Sequence, residues 1–236
     1  MISLAFDTCF GACSAAVFSA SGELLAHRYE ERQTGHAEAL MPTLRDVMAE
    51  AGAGFAEVSR ILVTVGPGTF TGIRIGLSVA KALALVTKAE VLTTSSLHLM
   101  ALRALAEFGT APAAGSVLVV AVDARRGELH LQTFTRNGAP LDPPALLSPD
   151  AAAAQAPNLD MIAVGSGAAL LAEAGQRIGR QITAALPRLQ ANACYLASAV
   201  AASNLVHGSV PIPIRPLYMR PPDAKPQTGK SLPRTR

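Results

Sequence analysis

Tryptophan is absent from this 236-residue chain, and aromatic residues make up only 4% of it. A core must therefore be packed with Ala, Leu and Val, for which a composition 50% hydrophobic is ample. Cysteine is sparse too: Cys9, Cys13 and Cys194 are an odd set with no Cys-x2-Cys pair. That excludes a disulfide framework and fits a reducing compartment. No nearby ligand completes a metal site around Cys9 and Cys13, and the histidines (His27, His36, His98, His130, His207) never pair at metal spacing. No apolar run reaches the ~18 residues of a spanning helix, and the N-terminus lacks a basic region followed by an apolar stretch. A cytoplasmic protein away from membranes is expected.

Catalytic signatures are also missing. Gly-x-Ser-x-Gly does not occur, and Ser78-Val79-Ala80-Lys81 matches Ser-x-x-Lys without the companion motifs of serine acyl-transfer enzymes. The net charge of +3 is unevenly spread. From Arg215 onward stand six basic residues (Arg215, Arg220, Lys225, Lys230, Arg234, Arg236) against Asp223, leaving 14 basic and 16 acidic residues elsewhere. The body is nearly neutral, and the basicity belongs to a Pro-rich end that reads as a disordered, solubilising tail.

What is present centres on Val65 to Gly76 (VGPGTFTGIRIG). A β-branched run, Arg60 to Val65, stops at a glycine-rich loop, and an Ala/Leu-rich helical pattern follows over Thr71 to Val86. Strand, Gly loop and helix N-terminus in that order can cradle an anion, with Gly66, Gly68, Thr69, Thr71 and Gly72 as its candidate residues. Neither common nucleotide pattern fits. A P-loop needs Lys directly after Gly72, and a dinucleotide fingerprint needs its third glycine one residue earlier. Arg74 lies in the first helical turn, where its charge opposes the macrodipole, so it calls for an acid or an anion.

The strongest organisational signal is an internal echo. Leu4 to Leu25 aligns without gaps on Val120 to Leu141, matching Asp7 with Asp123, Gly11 with Gly127, Phe18 with Phe134 and Gly22 with Gly138. Each copy reads as a strand ending in Asp, a tight turn, an alternating strand and a Gly hairpin turn. Met161 to Gly167 (MIAVGSG) repeats the strand-to-Gly-loop step. The pattern predicts an α/β fold of the duplicated actin-like (ASKHA, ribonuclease H-like) kind, with two lobes and a cleft. The expected division is 1–100, 101–215 and a C-terminal segment over 216–236.

In such a cleft Asp7, with Thr8, and Asp123 could hold a hydrated metal and phosphates; turn chemistry explains both carboxylates equally well. His36 to Ala51 reads as an amphipathic helix with Leu40, Leu44 and Val47 on one stripe, kinked at Pro42. The second helix shows two stripes, Ile73/Leu77/Ala80/Ala84 and Ile75/Val79/Leu83. Apolar on most of its circumference, it is either buried or covered by a partner.

These pieces together resemble the TsaB (YeaZ) family, which serves the making of threonylcarbamoyladenosine in tRNA. The resemblance rests on Asp7-Thr8, His36 to Pro42 (HAEALMP), Gly66 to Gly76, Ser95-Ser96-Leu97, Asp123 to Glu128 (DARRGE) and Pro216 to Arg220 (PLYMR). It implies a non-catalytic subunit that pairs with its catalytic paralogue TsaD, works with TsaE, meets tRNA through the complex, and self-associates when alone. It implies no cofactor for this chain itself, and leaves room for ATP or ADP near the partner interface. The metal-binding His pair of TsaD aligns with Ser96 and Met100, both poor ligands. On this resemblance the partner-binding faces carry His36, Leu40, Leu44, Val47, Ile73, Leu77 and Ala80, and Leu77→Asp breaks the complex but leaves a folded monomer. The rival expectations are an actin-like ATPase or kinase using Asp7, Asp123 and the Gly loop, and a peptidase.

Overall fold

The computed structural model of the chain describes residues 1–109, 115–155, 159–196 and 213–220. The echo in the sequence becomes an echo in topology. Strands β1 (Ile2–Asp7), β2 (Ala12–Ser19), β3 (Leu24–Glu31), β4 (Val58–Thr64) and β5 (Glu90–Thr94) form one sheet in the order β3-β2-β1-β4-β5. Strands β6 (Val117–Asp123), β7 (Leu129–Phe134), β8 (Ala145–Leu147), β9 (Met161–Val164) and β10 (Ile182–Ala185) repeat it as β8-β7-β6-β9-β10. In each sheet the first three strands are antiparallel and the last two join in parallel.

The hairpin turns match in detail. Ser19 N–H donates to the Glu23 carbonyl at 2.9 Å, and Thr135 N–H to that of Ala139 at 2.8 Å. Gly22 and Gly138 sit at φ 86° and 83° in these turns, a conformation that costs glycine little.

Among the described residues the α-helices are α1 (His36–Glu50), α2 (Phe70–Thr87), α3 (Ser96–Phe108), α4 (Pro149–Gln155) and α5 (Ala168–Arg177). Strand alternation decides which side each residue serves. Leu4, Phe6, Val17, Ile61 and Val63 pack under α1 and α2, while Ala5, Phe18 and Leu62 face the other way, toward α3. In the second sheet Leu118 and Val120 also face α3, and Val119 and Ala121 pack with α4 and α5. The layers therefore run helices, sheet, α3, sheet, helices. Phe18 and Phe134, matched in the echo, meet in one core with Met100 of α3. The expected break at residue 100 falls inside α3, whose side chains join both sheets.

Helix α1 runs on through Pro42. Of the Pro-rich end expected to be disordered from Arg215 onward, residues 221–236 lie outside the described residues, whereas Pro216 to Arg220 are placed against the body.

Candidate functional site

The Gly loop is already filled by its own protein. Thr69 caps α2 by accepting from Gly72 N–H at 3.1 Å, and its own N–H donates to the Cys9 carbonyl at 2.7 Å. Thr8 Oγ1 donates to the Gly72 carbonyl at 2.7 Å. A Cβ on Gly68 would lie 2.3 Å from Cys9 O, and one on Gly72 would lie 2.0 Å from Thr8 O. The glycines thus bring the loop and α2 against the turn after β1. Carbonyl oxygens of Thr8 and Cys9 occupy the place where an anion would need donors. Gly66, at φ 109° and followed by a cis peptide to Pro67, accepts from Ser96 N–H at 2.9 Å. Thr71 is exposed at the helix start.

Asp7 and Asp123 both serve their turns. Asp7 is 1% exposed; it accepts from Thr64 Oγ1 and, at 3.3 Å, from Cys9 N–H. Burial pushes its carboxyl above the ordinary range. Asp123 accepts from Arg125 N–H at 2.8 Å, the same i to i+2 turn bond. Asp7 therefore has no open face for a hydrated metal, and the equal weighing of the two readings tips to turn chemistry.

Arg74 meets a hydroxyl and an aromatic ring. Its Nε donates to the Tyr218 hydroxyl at 2.6 Å, and its guanidinium lies 3.6 Å from the centre of the Phe70 ring, a cation–π contact. Phe70 stacks on Tyr218 at 5.3 Å. The segment carrying Tyr218 is tied to the loop by Leu217 N–H, which donates to the Val65 carbonyl at 2.8 Å, and to the second hairpin by Arg220, which pairs with Glu128. The motif Pro216 to Arg220 was legible; that it straps the two halves was not, because its partners lie far off in the chain, Arg74 being 144 residues from Tyr218.

The expected partner faces need correction. His36, Leu40, Leu44, Val47, Ile73, Leu77 and Ala80 are all buried in the chain's own core, at 7% exposure or less. His36 Nε2 sits 3.0 Å from the Phe10 carbonyl. Periodicity marks an apolar stripe but not what it faces. The outward apolar residues on these helices are Met41, Phe70, Leu85 and Val86. Helix α2 is long and apolar enough by composition to cross a membrane, yet Gly72, Ile73, Gly76, Leu77 and Ala80 are buried within this fold.

The positions aligned with the TsaD metal pair do not fit a metal. Ser96 Oγ donates to the Pro67 carbonyl, and Met100 lies in the apolar core. His98 stands out of register, with Nδ1 2.9 Å from Thr94 Oγ1. Among the described residues no cluster of His, Cys, Asp or Glu could hold a metal ion.

One histidine between the halves was missed as a feature. His130 lies 6.2 Å from the Phe10 ring with Nδ1 buried and unpartnered. Burial, then the Arg220 charge, push its pKa down to about 4. The fold thus favours neutral His130, so its contribution is full above the unfolded value of about 6.5 and is lost as pH falls toward 4. The expected loss is about 2–3 kcal/mol relative to His130→Gln. Urea midpoints of both proteins between neutral and acid pH measure it; parallel profiles would sink the assignment.

The family model for TsaD, tRNA N6-adenosine threonylcarbamoyltransferase, matches residues 24–213. The Haemophilus influenzae tRNA threonylcarbamoyladenosine biosynthesis protein TsaB is 29% identical over 229 residues, covering 92% of each chain. Its Escherichia coli counterpart is 31% identical over 134 residues, 57% of this chain and 55% of that one. The solved structure of YeaZ from Pseudomonas aeruginosa superposes with a TM-score of 0.74 at 29% identity, over 92% of this chain and 99% of that one.

Proposed function

Since the chain belongs to the tRNA N6-adenosine threonylcarbamoyltransferase (TsaD) family, in its TsaB/YeaZ branch, we propose that it is a non-catalytic subunit of threonylcarbamoyladenosine synthesis on tRNA. It pairs with a catalytic TsaD subunit in the cytoplasm, works with TsaE, and meets tRNA within that assembly. The observation that carries this reading is the outer face of α2. At its C-terminal end Leu85 and Val86 are 72% and 81% exposed, and no acidic residue stands anywhere on the helix. An apolar surface of this kind calls for a protein partner. The same face can pair with a second copy when the partner is absent.

Ser96 and Met100, which offer no metal ligands, support leaving the chemistry to TsaD. The reading requires no cofactor of this chain and leaves ATP or ADP to the interface. Replacing Leu85 and Val86 together by Asp should leave the melting temperature within a few degrees, because both side chains are exposed. The same change should weaken association with the cognate TsaD at least about tenfold. Titration calorimetry and reconstituted modification of tRNA measure the two effects. Full modification without this chain, or undiminished pairing of the Leu85→Asp/Val86→Asp protein, would defeat the proposal. Micromolar MgATP binding by the isolated chain, lost in Asp7→Asn, would replace it with a kinase-like reading.

A further inference from the structure

We propose that the second half of the chain carries a binding cavity for a small organic ammonium compound, a site independent of the reading above. The two halves, built on one plan, supply the comparison. In each sheet a helix follows the third strand, α1 after β3 and α4 after β8. Helix α1 has 15 residues and lays Leu40, Leu44, Val47 and Met48 onto the outer face of the first sheet, where Val17 is fully buried. Helix α4 has 7 residues, and those it buries are Ala152 and Ala153. A methyl group does not reach as far as a leucine, so space stays open beneath α4. A cavity of about 240 Å³ lies there, walled by Val119 and Leu131 of the sheet and by Ala152, Met161 and Leu171. Protein interiors are close-packed as a rule, and apolar space of this size is destabilising when empty.

The polar groups of the cavity set what it takes up. Thr133 lines it where the first half has Val17, at the same offset that matches Asp7 with Asp123. Asp142 lines it too, and its Oδ1 accepts from Thr133 N–H at 2.8 Å. Among the described residues neither Asp142 Oδ2 nor the Thr133 hydroxyl has a hydrogen-bond partner, and no cation pairs with the carboxylate. A carboxylate with one open oxygen beside an apolar recess suits a cation that carries an apolar body.

Size narrows the class further. An engineered apolar cavity of about 150 Å³ holds benzene, and drug-sized ligands occupy about 300 Å³ or more. The ligand is therefore a single ring or a short branched chain, with an ammonium group for Asp142 and Thr133. An anion would meet the Asp142 charge, and a neutral molecule would leave that charge unpaired. A bare metal ion would find apolar walls in place of oxygen ligands.

The test is titration of the isotope-labelled full-length protein with benzylamine, followed by backbone amide shifts. Benzyl alcohol and benzoate serve as neutral and anionic compounds of the same size. Benzylamine should saturate with a Kd of about 0.1–1 mM, as ordinary ligand efficiency gives for about eight non-hydrogen atoms. Shifts should centre on Thr133, Asp142 and Gln155, and the first half should not respond. Benzyl alcohol should bind at least about tenfold more weakly, and benzoate not at all. Asp142→Asn keeps an acceptor for Thr133 N–H; it should weaken benzylamine about tenfold and leave benzyl alcohol within about twofold. Ala152→Leu fills the cavity and should abolish binding of every compound, with the melting temperature kept or raised. If that variant loses its cooperative melt, Ala145→Leu blocks the half-buried rim without altering the core. Benzylamine that fails to saturate below about 10 mM, equal affinity for the three compounds, or unaltered binding by Asp142→Asn overturns the inference. So does a protein that ignores benzylamine but loses TsaD association on Ala152→Leu, which would give the cavity to a partner's side chain.

Discussion

Leu77→Asp is expected to destroy the cooperative fold instead of yielding a soluble monomer that merely fails to pair. Leu77 is 3% exposed and lies in the core beneath α1 and α2 with Leu40, Leu44, Ile61 and Val63. The change removes a buried leucine and puts an unpaired carboxylate in its place. The two effects together should cost at least about 4 kcal/mol, a large part of the 5–15 kcal/mol that usually holds a domain folded. Circular dichroism melting and gel filtration measure it. A Leu77→Asp protein that melts within a few degrees of wild type would mean that the side chain faces solvent, reversing the assignment of inner and outer faces on α2.

Gly72→Ala should be nearly as damaging, and here two physical effects disagree in sign. Helix propensity favours alanine over glycine by about 1 kcal/mol inside a helix. Sterics oppose it: the added methyl would sit 2.0 Å from the Thr8 carbonyl oxygen, where no flexible side chain can give way. The β1–β2 turn and α2 must separate, and the Thr8 Oγ1 bond to the Gly72 carbonyl goes with them. The expected loss is about 3 kcal/mol or more. Ser78→Ala, on the exposed side of the same helix, tests propensity without the clash and should gain a few tenths of a kcal/mol. A stabilised Gly72→Ala protein would show that the glycines are not packing residues, and would reopen the loop as a ligand cradle.

Both predictions concern places where local pattern was right and direction was not. The helical stripes of α1 and α2 were legible because apolar residues recur every three or four positions. Their burial was not, since a core stripe and an interface stripe have the same period. The Gly loop was legible as a place where backbone approaches something closely. What approaches is Thr8–Cys9 from the turn after β1, some sixty residues earlier, and no local signal distinguishes a carbonyl neighbour from a phosphate. Arg74 was expected to meet an acid or an anion, because its charge opposes the helix dipole. Its partner is an aromatic pair half built from residue 218, which only the strap could supply.

The sequence by itself determined the duplicated α/β plan. Ungapped matches of Asp, Gly, Phe and Gly encode the same strand, turn and hairpin twice, and such local conformations are dictated by residues close in the chain. It also determined the family, through motifs spread from Asp7 to Arg220. Tertiary structure alone decided which face of each helix is free, that Asp7 is sealed under Thr64, and that the C-terminal strap joins the two halves. Those facts depend on contacts between residues far apart in the chain, and side-chain period and composition carry no record of them.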